Sequence, residues 1–211
     1  MVDFSLYLIT DRHQTGGRPL LDVVRQALDG GVTAVQLREK DLPGRALYQL
    51  AGELRRLTSD YAARLIINDR PDIALAVAAD GVHIGVNSLP IVSARRLLGH
   101  DKIIGYSAHA LDEAKCAQTD GADFVTFGPV YLTPSKAAYG EPCGINALAN
   151  AVFSLKIPVF GLGGISPANI TEALSANIRG IAVISAILTA ADPRVAAASL
   201  LKKIEEYAQR C

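Results

Sequence analysis

The sequence predicts a single-domain α/β protein with (β/α)8 barrel architecture, a TIM barrel. Short β-type apolar runs alternate with helical patterns from end to end, which predicts a parallel sheet. The runs number eight, as a closed barrel requires. No Ser/Pro-rich linker or shift in composition divides the chain, so we expect one domain over residues 1–211. A doubly wound open sheet is the alternative, and the count of eight favours the barrel.

Each strand candidate is a short, mainly apolar run that is followed by polar or small residues. In chain order the strands are Ser5–Thr10, Ala34–Arg38, Arg64–Asn68, Gly81–Ile84, Ile103–Ser107, Phe124–Phe127, Val159–Leu162 and Gly180–Val183. Apolar residues at three- and four-residue spacing predict the helices Leu20–Asp29, Gly44–Asp60, Pro71–Ala78, Ile91–Leu98, Leu111–Thr119, Ile145–Phe153, Asn169–Ser175 and Arg194–Gln209.

Composition excludes several classes of function. Lys plus Arg equals Asp plus Glu at 21 each among 211 residues, so no overall field favours nucleic acid or an anionic membrane. Cys116, Cys143 and Cys211 are odd in number and widely spaced, which argues against disulfides and a zinc site. The first residues lack a signal-peptide pattern, and no apolar run approaches the ~20 residues of a membrane span. We expect a cytoplasmic protein with a small-molecule site and leave the oligomeric state open.

Two stretches near the C-terminus are typical of a phosphate anchor. Pro158–Ser166 reads PVFGLGGIS, and Gly180–Ile187 reads GIAVISAI. Each apolar run ends in small residues before a helical pattern, so backbone N–H groups at two neighbouring helix starts could converge on an anion. In a (β/α)8 barrel the loops after strands seven and eight commonly bind phosphate.

A charged cluster follows the second strand. Gln36, Arg38 and Lys40 place an amide, a guanidinium and an ammonium within five residues. The segment is either a solvated helix entry or a clamp for a polyanion, because Arg offers a planar fork to phosphate oxygens and Lys a mobile point charge.

The third strand ends in Asn68-Asp69-Arg70-Pro71. One interpretation is an Asn/Asp helix cap ahead of a proline in the first helical turn. The other is that Asp69 binds Mg²⁺, since a cation bridging a diphosphate needs only one or two protein carboxylates.

Two histidines lie near the ends of strands four and five. His83 alternates within its strand and is typical of a satisfied structural histidine, and its spacing from His109 does not suit a metal. Ser107 lacks a nucleophile-elbow pattern, so we interpret it as a hydrogen-bonding residue for substrate.

The longest irregular stretch runs from Gly128 to Gly144. A loop of this length in a compact chain is usually a lid or a binding loop. Thr133, Ser135 and Lys136 supply two hydroxyls and a cation, which suit phosphate, although a polar surface loop is the alternative.

Taken as an ordered set, these motifs resemble the thiamine phosphate synthase family. The resemblance runs from Tyr7-Leu8-Ile9-Thr10-Asp11 to Val183-Ile184-Ser185-Ala186-Ile187. It implies a (β/α)8 barrel that joins a pyrimidine diphosphate to a thiazole phosphate, releases pyrophosphate and forms thiamine phosphate.

The resemblance also assigns residues to ligands. It implies pyrimidine diphosphate contacts from Gln36, Leu37, Arg38, Glu39, Lys40, Asn68, Ser107 and Lys136, and thiazole phosphate contacts from Thr133, Pro134, Ser135, Gly164, Ile184 and Ser185. It places the cofactor Mg²⁺ on Asp69. Arg38, Lys40 and Lys136 would then be the catalytic cations that stabilise the departing pyrophosphate.

This chain departs from the family pattern after strand four. The usual Gly-Gln-x-Asp is replaced by Gly85-Val86-Asn87-Ser88, which exchanges an acidic metal ligand for a hydroxyl. We expect weaker Mg²⁺ binding or an additional water ligand. A thiazole tautomerase-like paralogue is one alternative, but its expected histidine is replaced by Pro129; a non-catalytic phosphate-binding barrel is the other.

Overall fold

The computed structural model describes residues 2–133 and 141–209, and eight parallel strands form a closed barrel in the order β1 to β8. The strands are β1 Leu6–Ile9, β2 Ala34–Leu37, β3 Arg64–Asn68, β4 Gly81–Ile84, β5 Ile103–Ala108, β6 Phe124–Phe127, β7 Val159–Leu162 and β8 Gly180–Val183. The expected (β/α)8 architecture is confirmed, and the open-sheet alternative is excluded because β8 pairs with β1.

The helices lie outside the barrel and follow the strands in turn. Within the described ranges they are α1 Leu20–Asp29, α2 Gly44–Asp60, α3 Pro71–Ala76, α4 Ile91–Leu98, α5 Leu111–Thr119, α6 Gly144–Ser154, α7 Ile170–Leu174, α8 Ser185–Leu188 and α9 Pro193–Ala208. None of the helices in this part of the chain combines the length and hydropathy that a bilayer crossing needs.

The barrel interior is closed by aromatic rings toward the amino ends of the strands. Phe4, Tyr7, Phe124 and Phe160 are each at most 2% exposed. Their ring centroids lie 5.2–6.4 Å apart, and Phe4 meets Phe124 edge to face at 89°. Gly105 makes room for this packing, because a Cβ there would lie 2.4 Å from the Phe124 ring. A separate apolar layer packs the strands against the helices.

Two short elements of the structure are not predicted by the sequence patterns. A 3-10 turn covers Arg12–Gln14 in the loop after β1, and the four-residue helix α8 follows β8 directly. Three or four residues are too few to show a 3.6-residue apolar period. Both elements lie at the carboxyl end of the barrel and shape the site described next.

Candidate functional site

Polar residues of several strands meet at the carboxyl end of the barrel, which we call the mouth. Just above the aromatic rings, a hydrogen-bonded chain joins five strands. Gln36 Nε2 donates to the Tyr7 hydroxyl over 3.0 Å, and that hydroxyl lies 3.4 Å from His83 Nδ1. His83 Nε2 lies 3.0 Å from Ser107 Oγ and 3.3 Å from Thr126 Oγ1. We call these five residues the polar floor.

The polar floor also fixes the protonation state of His83. Burial, together with a smaller contribution from the nearby charge of Arg38, lowers the pKa of His83 to about 3. The imidazole is therefore neutral at physiological pH. A neutral imidazole carries one N–H, so one of Nδ1 and Nε2 donates and the other accepts among the Tyr7, Ser107 and Thr126 hydroxyls. The sequence interpretation of His83 as a satisfied buried histidine is confirmed.

Arg38 and Lys40 extend from the loop after β2 at the edge of the floor. Thr10 fixes this loop, since Arg38 N donates to Thr10 Oγ1 over 2.9 Å and Thr10 N donates to Gln36 O over 2.9 Å. Within residues 2–133 and 141–209, neither cation has a carboxylate within 4.0 Å. Both charges are thus available to an anionic ligand.

Glu39, which lies between these two cations in the sequence, and Leu37, which precedes them, both contact other parts of the protein. The side chain of Glu39 is 1% exposed, and it accepts hydrogen bonds from the backbone N–H and the guanidinium of Arg12, each at 3.1 Å. Leu37 is buried in the apolar layer beneath the helices, so any ligand contact there falls to its main chain. Glu39 holds the segment in place, and Arg38 and Lys40 are its charges that lack a carboxylate partner where the structure describes the chain.

Asp69 lies beside Ser88, the residue at which this chain departs from the family pattern. The Ser88 hydroxyl donates a short hydrogen bond to Asp69 Oδ1 and accepts one from Gly85 N at 2.7 Å, while Asn68 Nδ2 donates to Asp69 Oδ2 at 2.7 Å. Asp69 adopts a left-handed φ of 59°. The alternative that Asn68 or Asp69 caps α3 is wrong, because Arg70 occupies the cap position and no side chain caps the helix.

The oxygen donors of Asp69 and Ser88 are compatible with the expected magnesium ion. It offers one carboxylate and one hydroxyl, both hard oxygen donors. No cluster of three or more His, Cys, Asp or Glu side chains suited to a metal occurs in the described ranges. Mg²⁺ needs no such cage when substrate phosphates and water supply its other ligands, so the residues are compatible with a metal shared with a diphosphate.

A cavity of about 340 Å³ lies across the mouth between the ends of β7 and β8. Its lining includes Gly163, Gly164, Ile184, Ser185 and Thr133. Gly164 has φ of 68°, and a Cβ there would lie 2.7 Å from Tyr131 Cβ, so both conformation and space require glycine. The first N–H groups of α8 have no acceptor within their own helix, which suits a phosphate oxygen. We call this space the acceptor cavity.

The segment after β6 forms one wall of the acceptor cavity. Val130 N donates to Leu162 O over 2.9 Å and Tyr131 N to Gly163 O over 3.0 Å, while the Tyr131 hydroxyl donates to Glu172 over 2.8 Å. Thr133 reaches the cavity as expected. Pro134, Ser135 and Lys136 lie outside the described residues, so their assignments stay predictions.

The structure therefore brings the predicted residues together in two groups. Gln36, Arg38, Lys40, Asn68, Asp69 and Ser107 belong to the side of β2 to β5, while Thr133, Gly164, Ile184 and Ser185 line the acceptor cavity. Sequence reasoning missed Tyr7 and Thr126 in the floor and Gln14 in the cavity wall. Tyr7 and Thr126 looked like ordinary strand residues, and their polarity inside an apolar run was the available signal.

These features define the class of the protein as a (β/α)8 barrel with a glycine-lined cavity after its last two strands and with the cations Arg38 and Lys40 after its second strand. Comparison with known proteins gives the family. The model of the family described as thiamine monophosphate synthase matches residues 6–187. A Geobacter sulfurreducens protein is 62% identical over 200 residues, covering 95% of this chain and 94% of its own length.

Two further relatives carry explicit descriptions. A thiamine-phosphate synthase of Moorella thermoacetica is 48% identical over 200 residues, with 95% of each chain covered. The solved structure described as thiamine phosphate pyrophosphorylase from Pyrococcus furiosus superposes with a TM-score of 0.88 at 42% identity, covering 97% of this chain and 96% of that one. The chain belongs to the thiamine monophosphate synthase family.

Proposed function

We propose that the protein joins a hydroxymethylpyrimidine diphosphate to a thiazole phosphate, giving thiamine phosphate and releasing pyrophosphate. Family membership supports the reaction. The observation that carries it is the presence, at one mouth, of two features: the cations Arg38 and Lys40, which have no carboxylate partner among the described residues, and a separate cavity lined by Gly164 and Ser185. Two phosphorylated substrates need two anion-binding regions, and this arrangement supports the proposal of two such regions.

The leaving group would be stabilised by charge. Cleavage of the carbon–oxygen bond to the diphosphate leaves a pyrimidinylmethyl cation and transfers the bonding electrons to the departing pyrophosphate. Arg38 and Lys40 are placed to stabilise that negative charge, and Lys136 joins them in this proposal. Mg²⁺, held through Asp69, would supply further charge neutralisation on the same phosphates.

The acceptor completes the reaction. The thiazole nitrogen donates its lone pair to the cation, forming the new carbon–nitrogen bond. Its phosphate would lie against the N–H groups at Gly164 and at the start of α8, with Ile184 and Ser185. The protein contributes by holding the two reactants in line.

The polar floor would orient the pyrimidine. Gln36 and Ser107 present an amide and a hydroxyl whose directions are set by Tyr7 and neutral His83. A neutral histidine is useful here, because a second positive charge would oppose formation of a cation directly above it. Asn68 belongs to the same side and already donates to Asp69.

The test is a pyrophosphate-release assay with Mg²⁺ and both substrates. We expect pyrophosphate and thiamine phosphate in equal amounts, with neither formed when one substrate is omitted. Isomerisation of the thiazole phosphate alone would instead support a tautomerase-like enzyme. Tight binding of thiazole phosphate without either reaction would leave a binding protein. We place this activity in the cytoplasm, where the sequence analysis puts the chain.

A further inference from the structure

The loop between β1 and α1, residues 10–19, spans the mouth between the two ligand-binding sides. At one end, Arg12 donates to Asp41 through both terminal nitrogens, at 2.6 and 2.5 Å, in addition to its hydrogen bonds with Glu39. Glu39 and Asp41 flank Lys40 in the chain, and Arg38 precedes them. The guanidinium thus binds the segment that carries Arg38 and Lys40, the two cations without a carboxylate partner in the described part of the chain.

The opposite end of the same loop reaches the acceptor cavity. Arg18 donates through one terminal nitrogen to Leu188 O, the last residue of α8, over 2.7 Å, and through Nε to Thr15 O over 2.8 Å. Thr15 Oγ1 lies 3.0 Å from Arg12 O and 2.7 Å from Arg18 O, so it bridges the two ends. Gln14, between them, lines the cavity.

The ion pairs at Arg12 differ from ordinary surface pairs. The Glu39 side chain is 1% exposed and receives three hydrogen bonds from one residue, two of them from a backbone N–H. A buried carboxylate with a fixed partner costs much more to disrupt than an exposed pair. Asp41 is 54% exposed and adds the planar two-point contact that only arginine provides.

We propose that residues 10–19 form a positioning strap, in which Arg12 sets the placement of Arg38 and Lys40 and Arg18 sets the placement of α8, so that both anion-binding regions keep a fixed separation. The inference rests on the proposed function for the identity of the two ligands. Arg12 and Arg18 are positioning residues, since they act through Glu39, Asp41 and the Leu188 carbonyl.

The strap predicts different effects for its two ends. Arg12→Ala should raise the Kd for inorganic pyrophosphate with Mg²⁺ about tenfold and leave the Kd for thiazole phosphate within threefold. Arg18→Ala should do the reverse. In either variant kcat with both substrates should fall more than the single-ligand affinities do, because alignment between the two regions is lost. Arg12→Lys should recover part of the loss, as it keeps one contact.

Arg95 provides a matched control at the other end of the barrel. It pairs with Asp123 at 2.6 Å and with three backbone carbonyls, so Arg95→Ala should lower Tm without changing either Kd. Unchanged affinities and kcat in both strap variants, or equal shifts in all three variants, would overturn the strap. Absence of turnover in the unmodified protein, with the binding pattern intact, would overturn only the proposed reaction.

Discussion

The two ends of this barrel use charge differently, although Arg12, Glu39 and Asp41 form ion pairs at the mouth as well. At the amino end, Asp80 accepts from Leu65 N, Arg55 and Arg64, and Asp123 accepts from Ile104 N and Arg95. At the mouth, Arg38 and Lys40 have no carboxylate partner among the described residues. Charges that satisfy one another hold strands and helices together, whereas charges left over are available to ligands.

The same hydrogen-bonding arrangement occurs twice at the amino end, around Asp80 and around Asp123. In both cases an Asp just before a strand accepts a hydrogen bond from a backbone N–H of the preceding strand. It also accepts one from an Arg on the helix that leads into that preceding strand. Helix α2 supplies Arg55 and α4 supplies Arg95. The same arrangement two βα units apart stabilises the closed sheet.

The largest effect should follow from removing a mouth cation. Arg38→Ala should reduce kcat/KM for pyrophosphate release by about 10²–10³-fold, because preorganised charge on the leaving group is lost. Tm should hardly change, since the guanidinium has no ion-pair partner within residues 2–133 and 141–209. Arg38→Lys, which keeps charge without the planar fork, should lose less. Activity within threefold of the parent in Arg38→Ala would contradict the division between the two ends.

A substitution at the amino end should instead lower stability and leave activity nearly unchanged. Asp80→Asn should lower the free energy of unfolding by about 2 kcal/mol, the range for hydrogen bonds to charged groups, with kcat/KM within twofold. Burial raises the pKa of Asp80, but the Leu65 N–H and the two arginines outweigh it and the net pKa is lowered. The stabilisation is therefore present above the unfolded pKa near 4 and is lost as pH falls through the lower folded value. Denaturant titrations at pH 7 and pH 3 measure it, and equal losses at both would contradict this assignment.

The pH dependence of stability tests the role of His83 in the polar floor. Its folded pKa of about 3 lies below the ordinary 6.5, so the unfolded chain binds the additional proton. Its contribution to stability is complete above pH 6.5 and decreases by about 2 kcal/mol as pH falls to 5. His83→Gln should remove this part of the slope when unfolding free energies are measured over pH 5–8. An unchanged slope in the variant would mean that His83 is protonated in the folded protein.

The smallest expected effect concerns the metal position. Ser88→Asp places a second carboxylate beside Asp69, which should lower the half-saturating Mg²⁺ concentration about tenfold because ligand charge sets affinity. Ser88→Asn is the neutral control and should not lower it. The readout is the Mg²⁺ dependence of pyrophosphate release, and an unchanged midpoint in Ser88→Asp would place the metal away from this pair.

The strands and the long helices could be predicted because burial imposes a period on the sequence. Strands β3, β4, β6, β7 and β8 begin and end where the apolar runs do. The chemistry at the strand ends was also visible, since residues after parallel strands share one edge. Contacts between side chains that are far apart in the sequence could not be predicted. Arg12 contacts Asp41 across 29 residues of sequence, and no local pattern signals that Glu39 accepts hydrogen bonds from Arg12.

The aromatic rings beneath the polar floor have an electrostatic consequence for everything bound above them. Phe4, Phe124 and Phe160 place a poorly polarisable layer where solvent would otherwise respond to charge. The effective dielectric constant at such a boundary is closer to about 20 than to the 80 of water. Dissolved salt can then screen the mouth from the solvent side alone, so Arg38 and Lys40 act over a longer range than the same cations would on a flat surface.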